Sequence, residues 1–124
     1  MKELIKNENI ENKIYIIKGK EVMLDSDLAE LYKVETKRIN EAVKNNPNKF
    51  PDRYCWKLTD DESKTFMVEN FDHKRETRGG KYKNPRVFTE QGVYMLATIL
   101  KSKVAIEVTI NIMDAFIDKL ELNE

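Results

Sequence analysis

Asp25-Ser26-Asp27-Leu28-Ala29-Glu30-Leu31-Tyr32, then Lys33-Val34-Glu35, then Thr36-Lys37-Arg38-Ile39-Asn40-Glu41-Ala42-Val43-Lys44-Asn45 is the stretch whose reading decides the fold. Leu28, Leu31 and Tyr32 recur at helical spacing, and Asp25 is placed to cap that helix with Asp27 in its first turn. Thr36 is the second candidate cap. Ile39, Ala42 and Val43 then fall on one face of a helix running to about Asn45. Two short helices joined by three residues predict a helix-turn-helix. Ala29 is small enough for the helices to cross closely, Val34 plugs the corner, and Ile39 and Ala42 pin the second helix to the first. The turn position that often carries Gly is Lys33 here, which predicts a turn without the usual left-handed residue.

With Ile39, Ala42 and Val43 buried, Lys37, Glu41 and Lys44 point away from the core, with Asn40 beside them and Arg38 on the other flank. Arg and Asn side chains can each make paired hydrogen bonds to a base edge, to guanine and adenine respectively. Lys37 and Lys44 suit phosphates, as do Thr36 and the first N–H groups of the helix.

Outward from this core, Ile14–Ile17 and Val22–Leu24 flank Gly19 and predict a hairpin. Pro47 and Pro51 stop the second helix from continuing. Tyr54–Leu58 reads as a strand, and Thr59-Asp60-Asp61-Glu62 as a capping box opening a helix to about Glu69. Asn70–Pro85 is polar, basic and holds Gly79-Gly80, which predicts an exposed, mobile loop. Val87-Phe88 is a returning strand, and Thr89 caps a helix over Glu90–Lys101. Ser102 caps a last helix from Lys103 to about Leu122. The expected fold class is α+β: small β-strands with a helix-turn-helix, a basic wing-like loop and two C-terminal helices. Residues 1–13 are expected to be a flexible start, and residues 14–122 one domain.

The 124 residues suffice for one hydrophobic core. No run approaches the roughly 20 apolar residues of a membrane helix, and the polar start does not read as a secretory signal. Cys55 and His73, the only residues of their kinds, supply neither a disulfide nor a zinc site. A reducing, cytoplasmic setting follows. The formal net charge is zero, with 22 basic and 22 acidic residues, but it is unevenly spread. Residues 33–86 carry 14 basic and 9 acidic side chains, while both ends are net acidic. Lys74, Arg75, Arg78, Lys81, Lys83 and Arg86 face only Glu76 in the run His73–Arg86. Such a patch attracts a polyanion even on a neutral molecule.

Asp25/Asp27 and Asp60/Asp61/Glu62 sit at helix starts, where capping accounts for them without a metal. Gly79-Gly80 lacks the strand-then-helix setting of a phosphate loop, and no nucleophile elbow is present. No cofactor is expected. Tyr82 is a candidate for stacking, whereas Trp56, Phe66 and Cys55 read as core. In the last helix, Ile106, Ile110, Met113, Ile117 and Leu120 form one apolar stripe. Ala105, Val108, Ile112 and Phe116 form a second. One is expected to pack on the preceding helix and the other to meet a second subunit.

Several ordered blocks carry a family resemblance. They are Val22–Tyr32 continuing through Val34–Val43, then Arg53-Tyr54-Cys55-Trp56-Lys57-Leu58-Thr59, then Phe88-Thr89-Glu90-Gln91-Gly92-Val93-Tyr94-Met95-Leu96. Ala105-Ile106 and Ile112-Met113-Asp114-Ala115-Phe116 close the series. The chain resembles the ORF-six N-terminal domain family, grouped with the KilA-N and Bro-N domains of phages and large DNA viruses, over about Ile14 to Leu120. The resemblance implies a non-catalytic DNA-binding domain from a phage or prophage, of the kind found in antirepressor-like regulators. The DNA-binding residues expected are Thr36, Lys37, Arg38, Asn40 and Lys44 on the second helix and Lys74, Arg75, Arg78, Lys81 and Lys83 in the loop. Double-stranded DNA is the expected partner. The alternative is a protein-interaction module that binds a phage repressor and uses the helix-turn-helix only as scaffold. A divalent-ion-dependent nuclease is a third, weaker reading.

Overall fold

The computed structural model describes residues 7–70 and 84–122. Strands β1 (Tyr15–Ile17) and β2 (Lys20–Leu24) form the hairpin, with Ile17 opposite Lys20. Only Lys18 and Gly19 remain to turn the chain, and both take positive φ, 56° and 75°. That pairing of left-handed residues matches the twist of the strands it joins. β3 (Cys55–Lys57) and β4 (Arg86–Phe88) complete an antiparallel sheet of order β1-β2-β4-β3, which leaves β3 at an edge.

Six helices accompany the sheet among the described residues: α1 (Asn7–Glu11), α2 (Asp25–Tyr32), α3 (Thr36–Asn45), α4 (Asp60–Asn70), α5 (Glu90–Leu100) and α6 (Lys103–Leu122). The fold is α+β, as expected. Both faces of the sheet are covered. Val22, Leu24 and Val87 meet Phe66 and Met67 of α4, with Trp56 packed alongside. Met23, Cys55 and Phe88 point the other way, into the larger core formed with α1, α2, α3, α5 and α6. Two-sided burial explains why Val22–Leu24 and Val87-Phe88 are unbroken apolar runs rather than alternating ones.

Several elements sit as the sequence predicts, with local corrections. Thr59 and Glu62 exchange hydrogen bonds, Thr59 N donating to Glu62 Oε1 at 2.9 Å and Glu62 N to Thr59 Oγ1 at 3.1 Å. Thr89 Oγ1 accepts from Gly92 N at 3.2 Å, and Ser102 Oγ accepts from Ala105 N at 3.0 Å. The caps of α2 and α3, however, are Leu24 and Glu35, one residue earlier than Asp25 and Thr36. Neither side chain caps; their extended backbones simply lead into the helices. Asp25 is thereby released for longer-range bonds.

Lys33 also departs from expectation: it adopts the left-handed conformation, φ 61° and ψ 44°. Its N–H reaches Glu30 O at 3.3 Å, and Val34 N reaches Ala29 O at 3.0 Å. This paired closure ends α2 and satisfies carbonyls that would otherwise be orphaned, so the turn forms at a lysine despite a backbone cost of about 1–2 kcal/mol.

The start of the chain differs more. Residues 1–13 read as flexible, yet Asn7–Glu11 form α1 and Ile10 is fully buried. Ile14 follows it into the core. Lys119 Nζ of α6 donates to Glu11 O at 3.4 Å, so α1 is held by the last helix. Five residues with one buried apolar side chain show no readable period, and tertiary burial supplies the stability that the segment lacks alone.

Candidate nucleic-acid interface

Helix α3 is held from below by Ile39, Ala42 and Val43, all buried, while Lys37, Arg38, Glu41 and Lys44 are exposed and Thr36 is half-buried. The outward face predicted from the period of 3.6 is therefore present as a surface. Four of the five expected α3 residues (Thr36, Lys37, Arg38 and Lys44) have side chains not otherwise engaged in hydrogen bonds or ion pairs among the described residues. Asn40 is the exception. Its Nδ2 donates to Asp25 Oδ2 at 3.0 Å and to Thr36 O at 3.1 Å, and its Oδ1 accepts from Arg86 Nε at 2.7 Å. Both ends of the amide expected to read a base are thus committed inside the fold.

This clamp fixes α3 to the rest of the molecule. Asp25 is 7 % exposed. Its carboxylate also accepts from Ser26 N at 2.8 Å and from Arg86 N at 3.3 Å. A buried carboxylate needs such donors, because an unpaired one costs far more than the bonds cost to make. The network joins the starts of α2, α3 and β4. Arg86 also neighbours Cys55, where burial pushes the thiol up to about 11 against the opposing pull of the guanidinium. Cys55 is therefore a protonated core residue at neutral pH rather than a reactive one.

A cleft of about 340 Å³ opens beside the clamp, lined by Thr36, Asn40, Lys57, Asn84 and Arg86 among others. Lys57 lies opposite Arg86 across the β3–β4 pair. Arg86 ends the basic run noted in the sequence, but neither it nor Lys57 is among the DNA-binding residues expected there, because only the register of two strands distant in the chain brings them next to α3. Asn84, where the chain re-enters the described structure, is anchored to α4: its N donates to Ser63 Oγ at 3.1 Å and its Nδ2 to Asp60 Oδ1 at 2.8 Å. Asn84, Pro85 and Arg86 thus line the same cleft as Thr36 and Asn40 of α3. Lys74, Arg75, Arg78, Lys81 and Lys83 themselves lie outside the described residues, as do His73 and Tyr82.

Members of both acidic clusters are bonded inside the fold, Asp25 in the clamp above and Asp60 to Asn84 Nδ2 at 2.8 Å. Glu62 closes the box on Thr59 and pairs with Lys18 at 2.8 Å, and these bonds hold its carboxyl below the ordinary carboxylate value. Burial raises Asp27 to about 6, Lys13 opposing. Among the described residues no group of three or more His, Cys, Asp or Glu side chains could hold a metal ion. No described helix is long and apolar enough to cross a membrane.

Compared with known families, residues 12–99 match the ORF6N domain. The chain belongs to the ORF6N domain family. ORF6N domains form a phage-associated regulatory family, not a known enzyme family. The match takes in the hairpin, α2, α3, α4 and the sheet, and it stops inside the last turn of α5. Helices α1 and α6, which pack on one another, lie on either side of the matched span. No curated protein and no solved structure matched the chain.

Proposed function

We propose that this ORF6N domain is the non-catalytic, duplex-DNA-binding part of a phage or prophage regulator of the antirepressor-like kind, acting in the cytoplasm of the bacterial host. The observation that carries the reading is the exposed face of α3, where Lys37, Arg38 and Lys44 outweigh Glu41, on a helix pinned beneath by three apolar residues and clamped through Asn40. Rigid presentation of such a face is what a recognition helix needs in the major groove. In this reading Arg38 contacts base edges. Lys37, Lys44 and the Thr36 end of the helix contact phosphates. Asn40 positions the helix rather than reading a base. Lys74, Arg75, Arg78, Lys81 and Lys83 contact the backbone as a wing. Titration of labelled duplex at rising salt tests it: log affinity should fall against log salt by about 0.9 per phosphate neutralised. Retention that ignores salt, or no retention at low salt, removes the proposal.

A second reading, a protein-interaction module, is favoured by one feature of α6. Ala105, Val108, Ile112, Ala115 and Phe116 are buried, whereas Ile106, Ile110, Ile117 and Leu120 are 50–58 % exposed. The two readings are compatible if a second copy covers that stripe. A two-fold pair would then present two α3 helices to a palindromic site. Coverage of the stripe by a phage repressor instead of a second copy would appear as a monomer in light scattering that still binds the repressor.

A further inference from the structure

Five cations converge around Trp56 of the edge strand β3. Lys18 and Lys20 come from the hairpin, Arg53 from the segment before β3, Lys57 from the end of β3, and Arg86 from β4; they line a cleft of about 610 Å³ around Trp56. The ammonium groups of Lys18 and Lys20 each stand 5.8 Å from the centre of the indole ring. Only Asp52 and Glu62 oppose them in the cleft, and Glu62 is already spent on Lys18 and Thr59. Lys20, Arg53 and Lys57 are exposed and make no ion pair among the described residues. Cations at an edge strand can serve merely to discourage pairing with another strand. Lys57 alone would meet that role; Lys18 is held by Glu62 at 2.8 Å and Lys20 Nζ donates to Arg53 O at 3.5 Å, and these bonds fix both ammonium groups beside the ring instead of leaving them to solvent.

The cleft is continuous with the site already described. Val43 of α3 lines it, and it shares Lys57 and Arg86 with the smaller cleft at Thr36 and Asn40. We propose that this cleft around β3 is a second DNA contact, a cationic channel that holds the phosphate backbone flanking the groove entered by α3, with Trp56 against the sugar. The proposal rests on the DNA-binding reading above and extends it from α3 to the cleft around β3. Lysine and arginine flanking an aromatic ring are the combination that tracks a nucleic-acid backbone without reading sequence. The ligand is therefore a duplex backbone of any sequence.

Trp56 is the one tryptophan of the chain, so its emission reports this cleft directly. The protein is titrated with labelled duplex while anisotropy and tryptophan emission are followed together. Both should saturate at the same ratio. The triple variant Lys20→Ala/Arg53→Ala/Lys57→Ala alters exposed side chains only and should keep its circular dichroism. Its salt slope should be shallower by about three, at about 0.9 per contact, with equal loss on all sequences. Single variants Lys57→Gln and Arg53→Gln should each remove about one, and serve if the triple variant folds poorly. A wild-type slope in these variants overturns the proposal while leaving DNA binding by α3 intact, whatever the emission does. Tighter capture of single-stranded DNA through the tryptophan signal overturns the duplex assignment. Arg38→Ala should change sequence preference yet preserve the tryptophan response. Absence of any duplex binding overturns this proposal together with the reading it rests on.

Discussion

Helices α3 and α6 each bury one face and expose another, and the exposed faces differ in kind. Beneath α3 lie Ile39, Ala42 and Val43, and above it Lys37, Arg38, Glu41 and Lys44 meet water. α6 buries Ala105, Val108, Ile112, Ala115 and Phe116 but shows water Ile106, Ile110, Ile117 and Leu120. A small domain needs only one apolar face per helix. What stands on the other face is free to suit a partner, and here it is charge on one helix and hydrocarbon on the other. A charged face should bind and release through salt; an apolar one gains stability through area removed from water, about 25 cal/mol per Å².

The largest effect expected would break both sides of this comparison at once. Gly92 lies in the first turn of α5, which packs against both α3 and α6. A Cβ there would lie 2.3 Å from the carbonyl oxygen of Tyr54, a backbone atom that cannot swing away. Gly92→Ala should therefore cost about 3 kcal/mol or more. Chemical denaturation should show the loss, and both DNA retention and any self-association should go with it.

Next in size is the charged face alone. Arg38→Ala should cost about 1–3 kcal/mol at a preferred site and little elsewhere. Stability should stay within about 0.5 kcal/mol, since the side chain is exposed. Competition between selected and random duplexes measures the first, and thermal melting the second. An equal loss on every sequence would make Arg38 a phosphate contact and transfer base reading elsewhere.

The element between the two helices offers a titration. α2 packs on both α3 and α6, and its Asp27 is raised from 3.8 to about 6, chiefly by burial. The folded protein thus holds the proton more tightly than the unfolded chain. The stabilisation is complete below about 3.8 and is lost as pH rises through about 6. After allowance for solvent around the partly exposed carboxyl, about 1–2 kcal/mol is at stake. Asp27→Asn should flatten that part of the stability profile and raise stability at pH 7. A profile unchanged by the substitution would assign the dependence to other groups.

The smallest effect on folding should accompany the sharpest effect on assembly. Ile110→Asp and Ile117→Asp replace residues that are 56 % and 50 % exposed, so each should alter stability by about 0.5 kcal/mol or less. Sedimentation at micromolar concentration should show a wild-type pair and a monomeric variant. A wild-type monomer would leave α6 to a different partner and keep the comparison intact.

The helix pair, the hairpin, the capping box and the outward row of α3 were legible in the sequence because each depends on local spacing. Leu28, Ile39 and Ala42 disclose their burial through a period of 3.6, and Thr59 with Glu62 through a separation of three. Both stripes of α6 were legible too, but which one faces inward was not. A period identifies two apolar faces without saying which meets the core. The structure turns Ile112 and Phe116 inward, and the stripe holding Ile110 and Ile117 outward.

Composition and spacing by themselves determined an α+β domain with two short helices joined by a three-residue turn and a basic middle, and the ordered blocks determined its family. Only the tertiary structure decided that Asp25, Asn40 and Arg86 form one clamp, that Lys33 turns left-handed and that Ile10 closes the core. It also decided that Lys57 and Arg86 stand together beside α3. Asn40 and Arg86 are 46 residues apart in sequence, and Asp25 and Arg86 are 61 apart. Contacts of that kind follow from strand register and from the burial of charge, which needs donors wherever the fold can bring them. No spacing along the chain records them.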